Sequence, residues 1–221
     1  MTEQEKWDLL EHYQQQQSLD EADYALLEKL ARDKDPALRS EVAILLVLFV
    51  QEKSKQILCR LARDTDALVR TEAFDSLCVF ADQDNAAFLK QAVQTEPDDL
   101  ARSYAIESWA DVMATLEEDR AAACSFLYGC RKAEESGQCL LSIAYGLYIL
   151  GEESALGNIL SFLDAEDYHL RCGAIHLLEY VANTRNKRMI RQALEKRLCT
   201  EESKAVCAGA HELLKVLENV T

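Results

Sequence analysis

The chain has 221 residues, 24 basic against 39 acidic, with a net charge of −15 at neutral pH and 49% apolar content. That apolar content supports a large packed core and excludes a disordered chain. The acidic excess repels phosphate backbones and anionic lipid, so neither nucleic acid nor a membrane surface is expected as a partner. It suits a basic protein segment, and it is also what keeps a protein soluble.

With 7 glycines and 2 prolines in the whole chain, helix is favoured almost throughout. The opening stretch MTEQEKWDLLEHYQQQQ is polar and charged. It reads as a helix over residues 2–17 rather than a secretory signal. Two capping boxes mark early helix starts, Thr2 with Glu5 and Ser18 with Glu21, since a hydroxyl and a carboxylate three residues apart satisfy each other's free backbone N–H groups. Trp7, Leu10 and Tyr13 are expected to cover the open apolar end of the first repeat unit, which makes residues 1–18 an N-terminal capping helix outside the repeat.

Then the chain repeats itself. LARDKDPALRSEVAILL begins at Leu30 and LARDTDALVRTEAFDSL at Leu61, 31 residues later. Each carries Asp, three residues, then Arg: Asp35 with Arg39 and Asp66 with Arg70. The spacing recurs at Asp98 with Arg102 and at Asp167 with Arg171. Counted from each Arg, positions +3, +4, +7 and +11 are apolar in all four copies, for example Val42, Ala43, Leu46 and Val50 in the first. Residues three and four apart share one helix face, so these columns are the expected core stripe. Weaker copies are framed at Gly137 and Val206.

The organisation expected is a single domain over 19–221, with units near 19–52, 53–82, 83–115, 116–150, 151–183 and 184–221. Each unit is a pair of helices, the first pair covering 19–33 and 36–52. Asp35, Asp66, Asp98 and Asp167 stand at the N-caps of the second helices, each worth about 1 kcal/mol. Pro36 takes the first helical position, where its missing N–H costs nothing. All seven glycines fall at or after Gly129, and the fourth unit lacks the Asp/Arg signature, which marks it as irregular and as a candidate joint.

The eight cysteines stand singly, at Cys59, Cys78, Cys124, Cys130, Cys139, Cys172, Cys199 and Cys207, without a C-x-x-C pair. Thiols scattered over apolar helix positions act as small hydrophobes and fit a reducing, cytoplasmic setting. The longest apolar run, Val42 to Val50, is nine residues, short of the roughly 20 that span a bilayer.

These units resemble HEAT repeats, in particular the short variety of the bilin-lyase-like HEAT superfamily, over roughly Leu19 to Val220. The resemblance implies an all-α fold, a right-handed α-solenoid of the HEAT/armadillo type with about six helix pairs and second helices on the concave side. It also implies that the recurrent Asp35, Arg39, Asp66, Arg70, Asp98, Arg102, Asp167 and Arg171 form caps and a ladder between neighbouring units. Some HEAT-like proteins are enzymes. The di-iron hydroxylases of this kind need repeated His-Glu pairs, and this chain has one, His211-Glu212, among four histidines, His12, His169, His176 and His211. HEAT-like glycosylases need a basic groove. The one basic cluster, Arg185, Lys187, Arg188, Arg191, Lys196 and Arg197, also reads as a solvated helix face.

No nucleophile elbow, phosphate loop or zinc-type His pair appears, so neither catalytic residues, nor a metal site, nor a cofactor is expected. If the core stripe points inward, positions +2, +5 and +9 lie on the exposed second-helix face. Their polar and aromatic members are Glu41, Glu72, Asp75, Tyr104, Glu107, Asp111, His176, Tyr180 and His211. Acids interspersed with tyrosines suit a basic segment of another protein, and the same strip reads equally as an ordinary solvated surface. Ile44, Leu45 and Leu48 place apolar side chains in columns expected to be exposed, so either the N-terminal helix covers them or they form a sticky patch for a partner or for a second copy of the chain, as a weak dimer. The function expected is a non-catalytic protein-binding scaffold or adaptor of a bacterial-type cytosol. The alternatives are a bilin-lyase-like or chaperone-like accessory factor and a nucleic-acid-modifying enzyme.

Overall fold

A computed structural model of the protein describes residues 1–116 and 119–219. Among the described residues every regular element is helical. After α1 (Glu3–Gln14) the helices come in pairs: α2 (Glu21–Leu30) with α3 (Pro36–Leu46), α4 (Glu52–Leu61) with α5 (Ala67–Leu77), and α6 (Gln83–Thr95) with α7 (Asp99–Leu116). The series continues with α8 (Arg120–Arg131) and α9 (Gly137–Ile149), α10 (Ala155–Ser161) and α11 (Tyr168–Val181), and α12 (Lys187–Leu198) and α13 (Lys204–Asn219). A 3₁₀ turn, Phe162–Asp164, extends α10. The chain forms two compact units, Met1–Glu118 and Asp119–Thr221. Each contains a stack of three helix pairs, the arrangement of an α-solenoid.

In the first unit α1, α3, α5 and α7 pack successively side by side, with α4 and α6 behind α5 and α7. Their facing side chains form the core: Leu10 and Tyr13 of α1, Leu38, Val42 and Leu46 of α3, Val69, Phe74 and Leu77 of α5, and Ile106 and Trp109 of α7 are buried. In the second unit α9 and α11, then α11 and α13, pack in the same way around Leu141, Ile159, Leu178, Ile190 and Leu213. Burying each such Leu or Ile stabilises by roughly 1.5–3 kcal/mol.

The starts of the second helices are set by their caps. The Asp35 carboxylate accepts the Ala37 N–H at 3.0 Å, Asp66 accepts from Leu68 at 2.9 Å, Asp98 from Ala101 at 3.0 Å and Asp167 from His169 at 2.9 Å. Their ends come early. α3 stops at Leu46 and α5 at Leu77, so the +11 column lies beyond the helix, and Val50 is exposed instead of buried. Two asparagines brace the turns after second helices. Asn85 Nδ2 donates to the Leu77 and Phe80 carbonyls at 2.8 Å, and Asn186 Nδ2 donates to the Val181 carbonyl at 2.8 Å.

Neighbouring pairs are joined by a ladder whose acids are not the caps. Arg39 donates through Nε and Nη2 to both oxygens of Asp64 at 2.7 Å, and Arg70 reaches Glu96 at 2.9 and 2.7 Å. Arg171 reaches Glu201 at 2.8 Å through both nitrogens. The third nitrogen of each Arg turns back to its own loop, to the carbonyls of Asp33, Asp64 and Ala165. Each acid stands two residues before a cap and also accepts that cap's N–H: Asp64 from Asp66 at 2.9 Å, Glu96 from Asp98 at 3.0 Å, Glu201 from Ser203 at 2.8 Å. Such bidentate charged pairs are geometrically specific. Arg102 donates to the Glu96 and Pro97 carbonyls and to Asp99, within its own pair.

Three expectations are corrected by these contacts. α1 is in register with the repeat: its cap is Thr2, and four residues on, where the second helices carry Arg, Lys6 Nζ lies 2.7 Å from Asp33. The cap of α2 is Asp20 with Asp23, not Ser18 with Glu21, because Asp20 takes the Ala22 and Asp23 N–H groups. The irregular copies have their caps at Ser136 and Ser203, so Leu140 and Cys207 occupy the Arg position, three and one residues from where a frame on Gly137 or Val206 puts it.

Candidate functional site

The register that aligns the ladder also aligns the outer face of the second helices. In the first unit position +2 holds Glu41, Glu72 and Tyr104, position +5 holds Ile44, Asp75 and Glu107, and position +9 holds Leu48, Val79 and Asp111. Three helices thus present a face divided between five carboxylates and one apolar corner. Asp75 is exposed and the other four acids are half-buried.

The carboxylates feel one another across helices. Burial raises the proton affinity of Glu72, and Asp75 beside it and Glu41 on α3 raise it further. The Cys78 thiol is pushed up to about 12, first by burial and then by Asp111 of α7 and Asp75 of its own helix. Glu41 accepts a hydrogen bond from Gln14 Nε2 of α1 at 2.9 Å. The face is therefore a local sink of negative potential, which steers and holds cations.

The apolar corner is partly as expected. Ile44 is 41% exposed, Leu48 57% and Val79 37%, whereas Leu45 is 1% exposed and belongs to the core. Leu45 faces inward because it lies seven residues after Leu38, two turns along the same stripe.

In the second unit the same columns give His176 and Tyr180 on α11, whereas His211 on α13 falls at +4 once the frame is set on Cys207. Tyr180 is 68% exposed, and its ring meets the His176 ring edge-on at 5.0 Å. His211 is exposed, and its Nδ1 donates to the Cys207 carbonyl at 2.7 Å. In the frame set by Cys207, Glu212 is the +5 residue of α13 and is exposed.

Other clusters resolve into structural contacts. Within the basic stretch Arg197 Nε donates to Glu201 at 2.7 Å and Arg191 Nη2 lies 3.5 Å from the Leu214 carbonyl, while Arg185 stays exposed. An open hollow of about 690 Å³ beside α8 is lined by Arg120, Cys124, Tyr128, Lys132 and Glu152. Burial first, and then Glu152, raises the Cys124 thiol, which keeps it protonated and poorly nucleophilic at neutral pH. All eight cysteines are free thiols. Among the described residues no three His, Cys, Asp or Glu side chains are grouped to hold a metal ion, and no helix is long and apolar enough to cross a membrane.

The ladder acids Asp33, Asp64, Glu96 and Glu201, and Lys6 as their first basic partner, lie outside the Asp-x-x-x-Arg signature. The signal that marks them in the sequence is an acidic residue two places before each cap.

The comparison with known proteins agrees with this geometry. Residues 24–110 match the family model of HEAT repeats. No curated protein matches the chain. Among solved structures, the chain is similar to the complex of CpcE and CpcF of phycocyanin lyase from Nostoc sp. PCC7120, with a TM-score of 0.61 and 16% identity over 96% of this chain and 87% of that one. It is also similar to YibA of E. coli, with a TM-score of 0.57 and 14% identity over 93% of this chain and 72% of that one. At these identities the likeness is one of fold: an all-α solenoid.

Proposed function

We propose that this protein is a non-catalytic interaction scaffold that holds a basic segment of a partner protein on the second-helix face of its first unit. The observation that carries this reading is that Glu41, Glu72 and Asp75 share one second-helix face, where burial first, and then Asp75 and Glu41, raise the Glu72 proton affinity. A cation bound there relieves like-charge repulsion that the fold otherwise sustains. Rigid stacking fixes the spacing of the acids before binding, so little ordering entropy opposes association. Free thiols throughout the chain fit a reducing cytosol.

The test is the triple reversal Glu72→Lys, Asp75→Lys and Glu107→Lys, assayed with a labelled oligo-lysine peptide by fluorescence anisotropy. Binding that weakens by at least ~10²-fold, with helicity unchanged, supports the reading; each reversed charge near a bound cation is worth roughly 1 kcal/mol. Equal binding to the reversed protein removes this face as the site.

A second reading, an accessory factor of the lyase type, is favoured by the fold shared with the CpcE–CpcF complex. Absorbance changes of a free tetrapyrrole on titration with the protein would support it.

A further inference from the structure

The apolar corner lies on the same face as the carboxylates and specifies more than positive charge. Ile44 and Leu48 are four residues apart on α3 and the turn that ends it, and Val79 occupies the matching place after α5. All three are more than a third exposed, although the helices that carry them are otherwise apolar mainly on their buried side. α1, which packs against α3, does not cover them. It leans on α3 through Leu10 and Tyr13, which are buried, and through the Gln14 bond to Glu41.

We infer that the occupant of this face is an amphipathic basic helix, seating apolar side chains on Ile44, Leu48 and Val79 and lysines or arginines against Glu72, Asp75 and Asp111. This rests on the scaffold reading above and deepens it. Neighbouring packed helices are about 8–10 Å apart, and residues four apart on one helix rise about 6 Å. A corner spanning two helices by one turn therefore matches apolar anchors at i, i+4 and i+7 of a docked helix, which extend over about 10 Å. An extended basic tail projects alternate residues to opposite sides and leaves the three apolar side chains wet. An apolar partner without charge leaves the carboxylates facing a dry interface, which is costly. A second copy of this chain fits poorly, because each copy carries a net charge of −15.

The experiment compares three labelled probes on the full chain by fluorescence anisotropy. They are a synthetic 16-residue helix of leucines and lysines with leucine at i, i+4, i+7 and i+11, a scramble of the same composition, and an oligo-lysine of equal charge. The amphipathic helix is expected to bind at least ~10-fold tighter than the other two, since tenfold corresponds to about 1.4 kcal/mol and two buried aliphatic contacts supply that. The variant Ile44→Ser/Leu48→Ser, whose changes are exposed, is expected to lose that preference while binding oligo-lysine unchanged. Equal affinity for helix and scramble, or a preference that survives in Ile44→Ser/Leu48→Ser, overturns the helical occupant and leaves the basic-segment reading standing. Absence of binding to all three probes removes both. Light scattering that shows a dimer lost in the same variant assigns the corner to a second copy and overturns the inference.

Discussion

Lys6 stands to Asp33 as Arg39 stands to Asp64: in each case the cation comes four residues after a helix cap, and the acid two residues before the next one, at 2.7 Å. α1 thus holds the place of a second helix and continues the ladder at the N-terminal end of the stack. The Lys6 and Asp33 side chains are both largely shielded by their neighbours, so Lys6→Ala is expected to lower the urea midpoint. Lys6→Arg is expected to retain it. Urea unfolding followed by circular dichroism checks both.

The rung between Arg70 and Glu96 is more deeply buried, with the Glu96 side chain 6% exposed. Arg70→Leu leaves that carboxylate without its counter-charge, and a loss of about 3 kcal/mol is expected. The double variant Arg70→Leu/Glu96→Ala should be less damaged than the two single losses added together, with a coupling of roughly 1–3 kcal/mol. The chain already contains the combination: at the corresponding places between α9 and α11 stand Leu140 and Ala165. A double-mutant cycle in urea measures the coupling directly.

Glu201 gives the ladder its pH signature. Its bonds from Arg171, chiefly, and from Ser203 and Arg197 outweigh burial and hold its carboxyl at about 2, against 4.5 ordinarily. A carboxyl whose folded value lies below its unfolded value contributes stability above the unfolded value and loses it as pH falls through the folded one. The gap in urea midpoint between the native chain and Glu201→Gln is therefore expected to be constant above about pH 5. It should narrow from about pH 4.5 and close near pH 2.

Thiol reactivity separates the cysteines. Cys78, pushed up to about 12, carries roughly 10³-fold less thiolate at neutral pH than an ordinary cysteine, while Cys199 is exposed. Iodoacetamide labelling read by mass spectrometry should modify Cys199 well before Cys78. In the Asp75→Asn/Asp111→Asn variant, Cys78 labelling should accelerate, since two of the charges that raise its thiol are gone.

The second helices were legible in the sequence because their signals are local. Asp35, Asp66, Asp98 and Asp167 cap the helix that begins on the next residue, and the +3, +4 and +7 columns need only one helix period. The ladder was illegible because its partners lie 25, 26 and 30 residues apart and its acid alternates between Asp and Glu. α1 was hidden as a repeat helix because Thr2 and Lys6 replace the usual Asp and Arg. Val50 was misplaced because column counting assumes that the helix continues, and α3 ends at Leu46 with no glycine or proline to announce it. Of the candidate site, the acidic columns followed directly from the period. That Leu45 is core while Ile44 and Leu48 are not depends on packing against neighbours.

Where the ladder lacks its charges, α9 and α11 meet through close apolar contact instead. A Cβ on Gly137 would lie 2.7 Å from Leu170 Cδ1, and one on Gly173 would lie 3.2 Å from Leu141 Cδ2. Neither salt nor protons can loosen a joint made of aliphatic carbon. When the carboxylates elsewhere are titrated in acid, amide exchange in Gly137–Ile149 and Tyr168–Val181 should be the last to quicken, which would make this seam the residual clamp of the molten chain.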